Sequence, residues 1–357
     1  MISVLSDIGR RYFPEISPSD IVPQLRRRIG PDTCYCVRFG SSVLKLPSSP
    51  SPLPCRTIRY EHSVLTRLAQ TSVGAYLPKN NCLWESGGSP VLKTDYIKGL
   101  PFYDLIDQDL SGTRIRSDFD LALRVLKTLS HSMSSTRYAG HIFDRVYRRS
   151  LTQVRARVGL GDLEMTLPRI REFGHVGMHG DFNPWNMMIT ESGCAVLDWE
   201  DFSPRGFAGF DFFYFTVGYL WVCLYGEKSG PDGPVKHPRT ILEIESLYAT
   251  FRQTIADILP EILEMYQISF EDLTAYFHLF LLHNARKDLA KKRQNMGMSK
   301  RWLTLLPHET GELDFWAALD KLYDLCRIDY YFNRGEAERA QAIATPILPS
   351  LRFLYES

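Results

Sequence analysis

The sequence carries almost no excess charge. Its 357 residues include 42 Lys plus Arg against 41 Asp plus Glu, a formal net charge of +1. No overall pull toward nucleic acid or an anionic membrane surface is expected, and neither is predicted as a partner. Short basic runs at Arg26, Arg27 and Arg28 and at Lys291, Lys292 and Arg293 read as solvated faces. No hydrophobic run matches the roughly 20 residues that a spanning helix needs. The longest uncharged apolar stretch, FFYFTVGYLWVCLYG at 212–226, reads as a buried core helix. The N-terminal MISVLSDIGRRYFPEIS lacks a long apolar segment followed by a small-residue cleavage site, so no secretory leader is expected. The seven cysteines are scattered and odd in number. No second pair at zinc-site spacing accompanies Cys34 and Cys36, and reduced thiols in the cytoplasm fit best. No internal repeat is visible.

What the sequence does contain changes character along the chain. CYCVRFGSSVLKL from Cys34 has the alternation and β-branched content of two strands joined near Gly40. The Pro/Ser-rich PSSPSPLP at 47–54 reads as a loop. In 58–70, Ile58, Val64, Leu65 and Leu68 fall near helical spacing. SPVLKTDYIKGLPF at 89–102 reads as a strand running into a linker. Helical periodicity then dominates at 121–133, 207–225, 240–258, 271–293, 312–333 and 335–343, with partial helix expected over the arginine-rich 137–158. One segment breaks that pattern: HVGMHGDFNPWNMMITESGCAVLDWEDF at 175–202 reads as a loop, a strand at Met187 to Ile189, a turn at 191–193 and a second strand ending in Leu197, Asp198, Trp199.

This hairpin carries the chemistry. A tight turn between antiparallel strands returns the second strand to the start of the first, so Asn186 and Asp198 are expected to be neighbours. Two oxygen donors there suit magnesium, which takes a few protein oxygens together with phosphates and water. Asp181, five residues before Asn186, is placed to take the proton of an attacking hydroxyl. That is the division of labour in phosphoryl transfer by kinases.

HGDFNPWN (179–186) followed by VLDWE (196–200) resembles the signature of the aminoglycoside phosphotransferase and choline kinase superfamily. The resemblance implies an α+β, two-lobed, protein-kinase-like fold. Its small N-terminal lobe, 1–95, would be an antiparallel sheet with one helix that binds nucleotide. Its larger lobe, 96–357, would be mainly helical and carry the catalytic loop and acceptor site. The implied reaction moves the γ-phosphate of ATP, with Mg²⁺, to a hydroxyl of a small molecule. The acceptor stays open among amino sugars, amino alcohols, sugars and glycan or natural-product intermediates, and so does the choice between ATP and GTP.

The resemblance also assigns roles. Asp181 is the catalytic base and His179 organises its loop, while Asn186 and Asp198 are the magnesium ligands. Lys45 on a strand contacts the phosphates, and Glu61 on the first helix, sixteen residues later, is its ion-pair partner. Asp95, Tyr96 and Ile97 form a hinge whose backbone meets the adenine edge, and Asp211 is a structural residue at the head of the buried helix. One element of the kinase pattern is missing: RIGPDTCYCVRFG offers only Gly30 and Gly40 where a G-x-G-x-x-G would precede Lys45.

Other features admit two readings. Glu200 and Asp201 would attract a cationic acceptor or support Asp198. The aromatic residues Tyr266, Tyr276, Phe277, Trp302, Trp316, Tyr323, Tyr330, Tyr331 and Phe332 would form a cation-binding box or ordinary core, and His283 to Asp288 (HNARKD) an acceptor-facing patch or an exposed helix face. Two rival functions remain: a catalytically silent kinase-like scaffold, and a metal-dependent hydrolase built on His179, Asp181 and Asp198.

Overall fold

In the computed structural model, residues 21–23, 34–106, 111–132, 136–139, 148–149, 152, 172–225, 240–290, 315–333 and 335–345 are described. The two basic runs, Gly30 and Trp302 lie outside them. The chain forms two compact units. One comprises Met1–Leu105 with His179–Ser203, the other Ile106–Met178 with Pro204–Ser357. These edges differ from a division at residue 95, because the hairpin is hydrogen-bonded to the strand just after it.

The first unit is built on a five-stranded antiparallel sheet of β1 (Ile21–Pro23), β2 (Cys34–Phe39), β3 (Ser42–Pro47), β4 (Cys82–Ser86) and β5 (Ser89–Asp95), in the order β1-β2-β3-β5-β4. The register pairs Cys36 with Lys45 and Lys45 with Leu92. Alternate residues of a strand point to opposite faces. One face therefore collects Val37, Phe39, Leu44, Leu46 and Val91, all at most 5% exposed, each worth about 1.5–3 kcal/mol of burial. The opposite face presents Lys45.

Helix α1 (Pro52–Leu68) follows β3. The loop expected at 47–54 is shorter than that, because proline is compatible with the first turn of a helix, where its missing N–H has no intrahelical partner to lose. The buried stripe of α1 runs Ile58, Glu61, Val64, Leu65, Leu68, so a carboxylate sits in the middle of an apolar face. After β5, β6 (Leu100–Pro101) pairs with β9 (Met187–Thr190), which pairs in turn with β10 (Gly193–Val196). The hairpin is as expected, except that β10 stops at Val196. Asp198 turns out of strand geometry, with φ 63° and ψ 62°, into a single 3₁₀ turn at Trp199–Asp201.

The second unit is mainly helical, with α2 (Gly112–His131), α3 (Phe210–Tyr225), α4 (Ile241–Tyr266), α5 (Phe270–Ala290), α6 (Phe315–Asn333) and α7 (Ala337–Ala344). A small sheet orders β11 (Ser203–Phe207), β8 (Glu172–Met178) and β7 (Thr136–Ala139). Strand β7 corrects the helix expected from residue 137. Thr136 and Tyr138 favour a pleated surface, and the segment pairs antiparallel with β8. Rings fill the interior, with Phe119 packed on Phe215 and Phe251, and Phe213 on Phe277, Phe280 and Phe315. Helix α3 is this unit's buried core helix, and among the described residues no helix is long and apolar enough to cross a membrane.

The fold is thus mixed α/β, with an antiparallel-sheet N-terminal lobe and a helical C-terminal part, as the sequence led us to expect. Asp211 is buried in the first turn of α3. There it complements the helix dipole, two residues further in than the N-cap position at Gly209.

Candidate active site

The first unit brings Lys45, Glu61, Asp198 and Glu200 together. The Lys45 ammonium lies 2.7 Å from Glu61 Oε2, 2.6 Å from Asp198 Oδ1 and 2.7 Å from Glu200 Oε2. Its side chain is 11% exposed, that of Glu61 7%, of Asp198 40% and of Glu200 33%. Burial works against the charge on Lys45, but Asp198, Glu61 and Glu200 outweigh it and hold its pKa well above the ordinary lysine value. Burial pushes the Glu61 and Glu200 carboxyls upward, and the Lys45 charge opposes that shift. Glu61 is also tied at its other oxygen, which accepts the Trp199 N–H at 3.2 Å. Helix α1 thereby grips both Lys45 and the turn that carries Asp198 and Glu200.

The loop before β9 holds Asp181 between two amides. Asn183 Nδ2 donates to Oδ1 at 3.1 Å, and Asn186 Nδ2 donates to Oδ2 at 3.1 Å and to the Asp181 carbonyl at 2.9 Å. Asn183 in turn caps the short 3₁₀ helix Pro184–Asn186 through the Trp185 N–H. The Asn186 carbonyl accepts the Leu197 N–H at 2.8 Å, which brings the backbone beside Asp198 against Asn186, as the hairpin requires.

His179 is fully buried. Its Nε2 donates to the Leu197 carbonyl at 2.9 Å, while Nδ1 accepts the Asp181 N–H at 3.3 Å. Both ring nitrogens are therefore committed to backbone. These two bonds tie His179 to the backbone on both sides of the site loop, and they leave neither ring nitrogen open to a metal in this geometry. Gly180, at φ +85°, lies so close to the Asp201 carbonyl that a Cβ would overlap it.

The hinge is more committed than expected. The Asp95 N–H donates to the Lys79 carbonyl at 3.0 Å and the Tyr96 N–H to the Ser41 carbonyl at 2.7 Å. The Tyr96 ring is covered by the Arg38 guanidinium, 3.7 Å from its centroid. Of the three hinge N–H groups, only that of Ile97 makes no hydrogen bond among the described residues.

Among these residues, the carboxylate oxygens of Glu61, Asp198 and Glu200 lie within 4.8 Å of one another. An all-oxygen donor set of this kind suits a hard divalent cation. Sequence reasoning put Glu200 beside Asp198, as its support or as an attractor of a cationic acceptor, but did not foresee its bond to Lys45. Its signal was the spacing Asp198–Glu200 around a single buried Trp199, which returns two acidic side chains to one side of a short turn. Cys34 carries a thiol pushed up to about 12, chiefly by burial, so it is no nucleophile.

Against known proteins, a sequence profile of the phosphotransferase enzyme family matches residues 35–225, more than half of the chain. The chain belongs to the phosphotransferase enzyme family. It is a kinase, as the resemblance of its hairpin to the aminoglycoside phosphotransferases and choline kinases implied. Among solved structures, a glucosamine kinase in complex with glucosamine, ADP and inorganic phosphate aligns at 15% identity and a TM-score of 0.46, over 76% of this chain and 79% of its own. The choline kinase LicA from Streptococcus pneumoniae aligns at 15% identity and 0.44, over 82% and 94%. The streptomycin–ATP ternary complex of APH(2")-IIa aligns at 12% and 0.46, over 83% and 93%. A search of curated protein sequences finds no match.

Of the two readings of the C-terminal aromatic residues, box or core, the described ones favour core. Tyr276 and Phe277 are at most 1% exposed, and Tyr323 stacks on Tyr248 at 4.1 Å. Trp316, Tyr323 and Tyr331 already face Arg252, Arg327 and Arg339. In the HNARKD segment, Asn284 is an internal residue that accepts the Tyr214 hydroxyl at 2.8 Å.

Proposed function

We propose that this kinase transfers the γ-phosphate of ATP, with Mg²⁺, to a hydroxyl of a small molecule from the amino sugar, amino alcohol, sugar or glycan and natural-product classes. The observation that carries this reading is the bridging of Glu61 and Asp198 by one buried ammonium. Such a bridge sets a cation suited to phosphate beside a carboxylate suited to a metal ion. In this reading Lys45 neutralises the non-transferred phosphates and Glu61 fixes its position. Magnesium would be held by Asp198 and Asn186, whose Oδ1 carries no hydrogen bond among the described residues, and would supply charge neutralisation at the phosphates. The adenine edge would meet the hinge at Ile97, and Asp95 and Tyr96 would fix the shape of that segment.

Asp181 would accept the proton of the acceptor hydroxyl as it attacks in line. Its two amide contacts fix the direction of its carboxylate, so the gain comes from orientation as much as from basicity. The test is acceptor-dependent ADP formation by the purified chain with Mg·ATP over a panel of amino sugars, amino alcohols and sugars. Turnover is expected with one class of acceptor. Near-normal turnover in Asp181→Ala overturns the assignment.

A further inference from the structure

We infer that Glu200 is a positioning residue that competes with the nucleotide for Lys45 and so couples nucleotide binding to the divalent cation. The inference rests on the nucleotide reading above and extends it to a residue outside that reading. A lysine ammonium has three hydrogens to donate and no more. On Lys45 they meet three carboxylates, Glu61, Asp198 and Glu200, at 2.7, 2.6 and 2.7 Å. A phosphate oxygen can bond this ammonium only by replacing one of them.

The three are not equally replaceable. Glu61 is the most buried, and its second oxygen is bonded to the Trp199 N–H. Asp198 stands on a left-handed backbone at the exit of the hairpin, where it is the cation ligand. Glu200 sits in the one-turn 3₁₀ helix with a third of its side chain exposed, and Lys45 is its single hydrogen-bonding partner among the described residues. Glu200 is therefore the group a phosphate displaces.

Displacement leaves a free carboxylate beside Asp198 and close to the incoming phosphates. Without a divalent cation that juxtaposition repels, and with one it is neutralised. Nucleotide without metal then binds weakly, nucleotide with metal binds well, and Glu200 sets much of the difference as a coupling between the two ligands. The neighbouring Asp201 is also acidic but is exposed and shows no bond to Lys45, so charge alone and competition can be separated.

The experiment measures the ADP dissociation constant with EDTA and with saturating Mg²⁺ in wild type, Glu200→Gln and Asp201→Asn, each checked by thermal melting. Glu200→Gln is expected to tighten metal-free ADP binding by about tenfold and to shrink the magnesium enhancement by a similar factor, while Asp201→Asn moves either by less than about twofold. Unchanged or weaker metal-free binding in Glu200→Gln, or an equal gain in Asp201→Asn, overturns the inference and leaves the kinase reading standing. Should Glu200→Gln melt early, Glu200→Asp, which keeps the charge but withdraws it from Lys45, must show a gain of the same sign or the inference fails. A wild type that binds no ADP in either condition overturns both.

Discussion

Glu61 bonds the Lys45 ammonium through Oε2 at 2.7 Å and the Trp199 N–H through Oε1 at 3.2 Å. One carboxylate thus joins a strand, a helix and the turn after the hairpin, elements separated by sixteen and by 138 residues in the chain. Replacing it by glutamine keeps the size and the acceptor for Trp199 but removes the charge. Glu61→Gln is expected to weaken Mg·nucleotide binding, since Lys45 loses the partner that orients it. Stability should fall by about 1–3 kcal/mol, the range for leaving a buried polar group mismatched. Glu61→Ala should cost more, because it also leaves the Trp199 N–H unpaired. Nucleotide titration and urea unfolding of both variants check the order.

Asp181 and Asp198 should separate by what their loss does. Asp181 is held by Asn183 and Asn186 and makes no bond to Lys45. Asp181→Asn is expected to lower kcat by about 10²- to 10⁴-fold, the usual contribution of a general base, with nucleotide affinity changed by less than about threefold. A KM and kcat split measured on one acceptor distinguishes this from a binding defect.

At Asp198 the backbone adds a second readout. Its φ of 63° and ψ of 62° lie in the left-handed region, which asparagine and aspartate enter more readily than other side chains with a Cβ, and β-branched residues least of all. Asp198→Asn should therefore lose Mg·nucleotide binding and turnover with little change in melting temperature. Asp198→Val should lose the same activity and about 1–3 kcal/mol of stability in addition. Equal stability of the two variants would contradict the strained-turn account.

Much of this site was legible in the sequence because its parts are local. Asp181 and Asn186 share one loop, and the two strands after them fix Asp198 through a short turn. Glu61 on α1 was reached through the family resemblance, which puts the partner of Lys45 on the first helix sixteen residues on. Glu200 was harder, since its role depends on Lys45 lying 155 residues away, and a side chain that reaches across such a distance leaves no periodic trace. The hinge was read too generously for the same reason. The Tyr96 N–H goes to Ser41 at the β2–β3 turn, a partner that strand periodicity cannot reveal. Strand β7 was hidden because its partner β8 lies more than thirty residues on.

Gly180 tests whether loop geometry or loop chemistry limits the reaction. At φ +85° it passes against the Asp201 carbonyl, closer than any Cβ tolerates, and it sits between His179 and Asp181. Gly180→Ala adds one methyl group and removes no polar contact. Two costs follow: the left-handed backbone, about 1–2 kcal/mol for a residue with a Cβ, and displacement of Asp201, whose backbone lies next to Glu200. If the Asp181 carboxylate acts through its fixed direction, a shift of about 1 Å in the loop lowers turnover on the order of 10²-fold. The expected outcome is a folded variant with a lowered melting temperature, weakened kcat and near-normal nucleotide binding. Full activity in Gly180→Ala would mean that the loop relaxes around the methyl group without moving its base, and that the two amide contacts to Asp181 are enough to aim it.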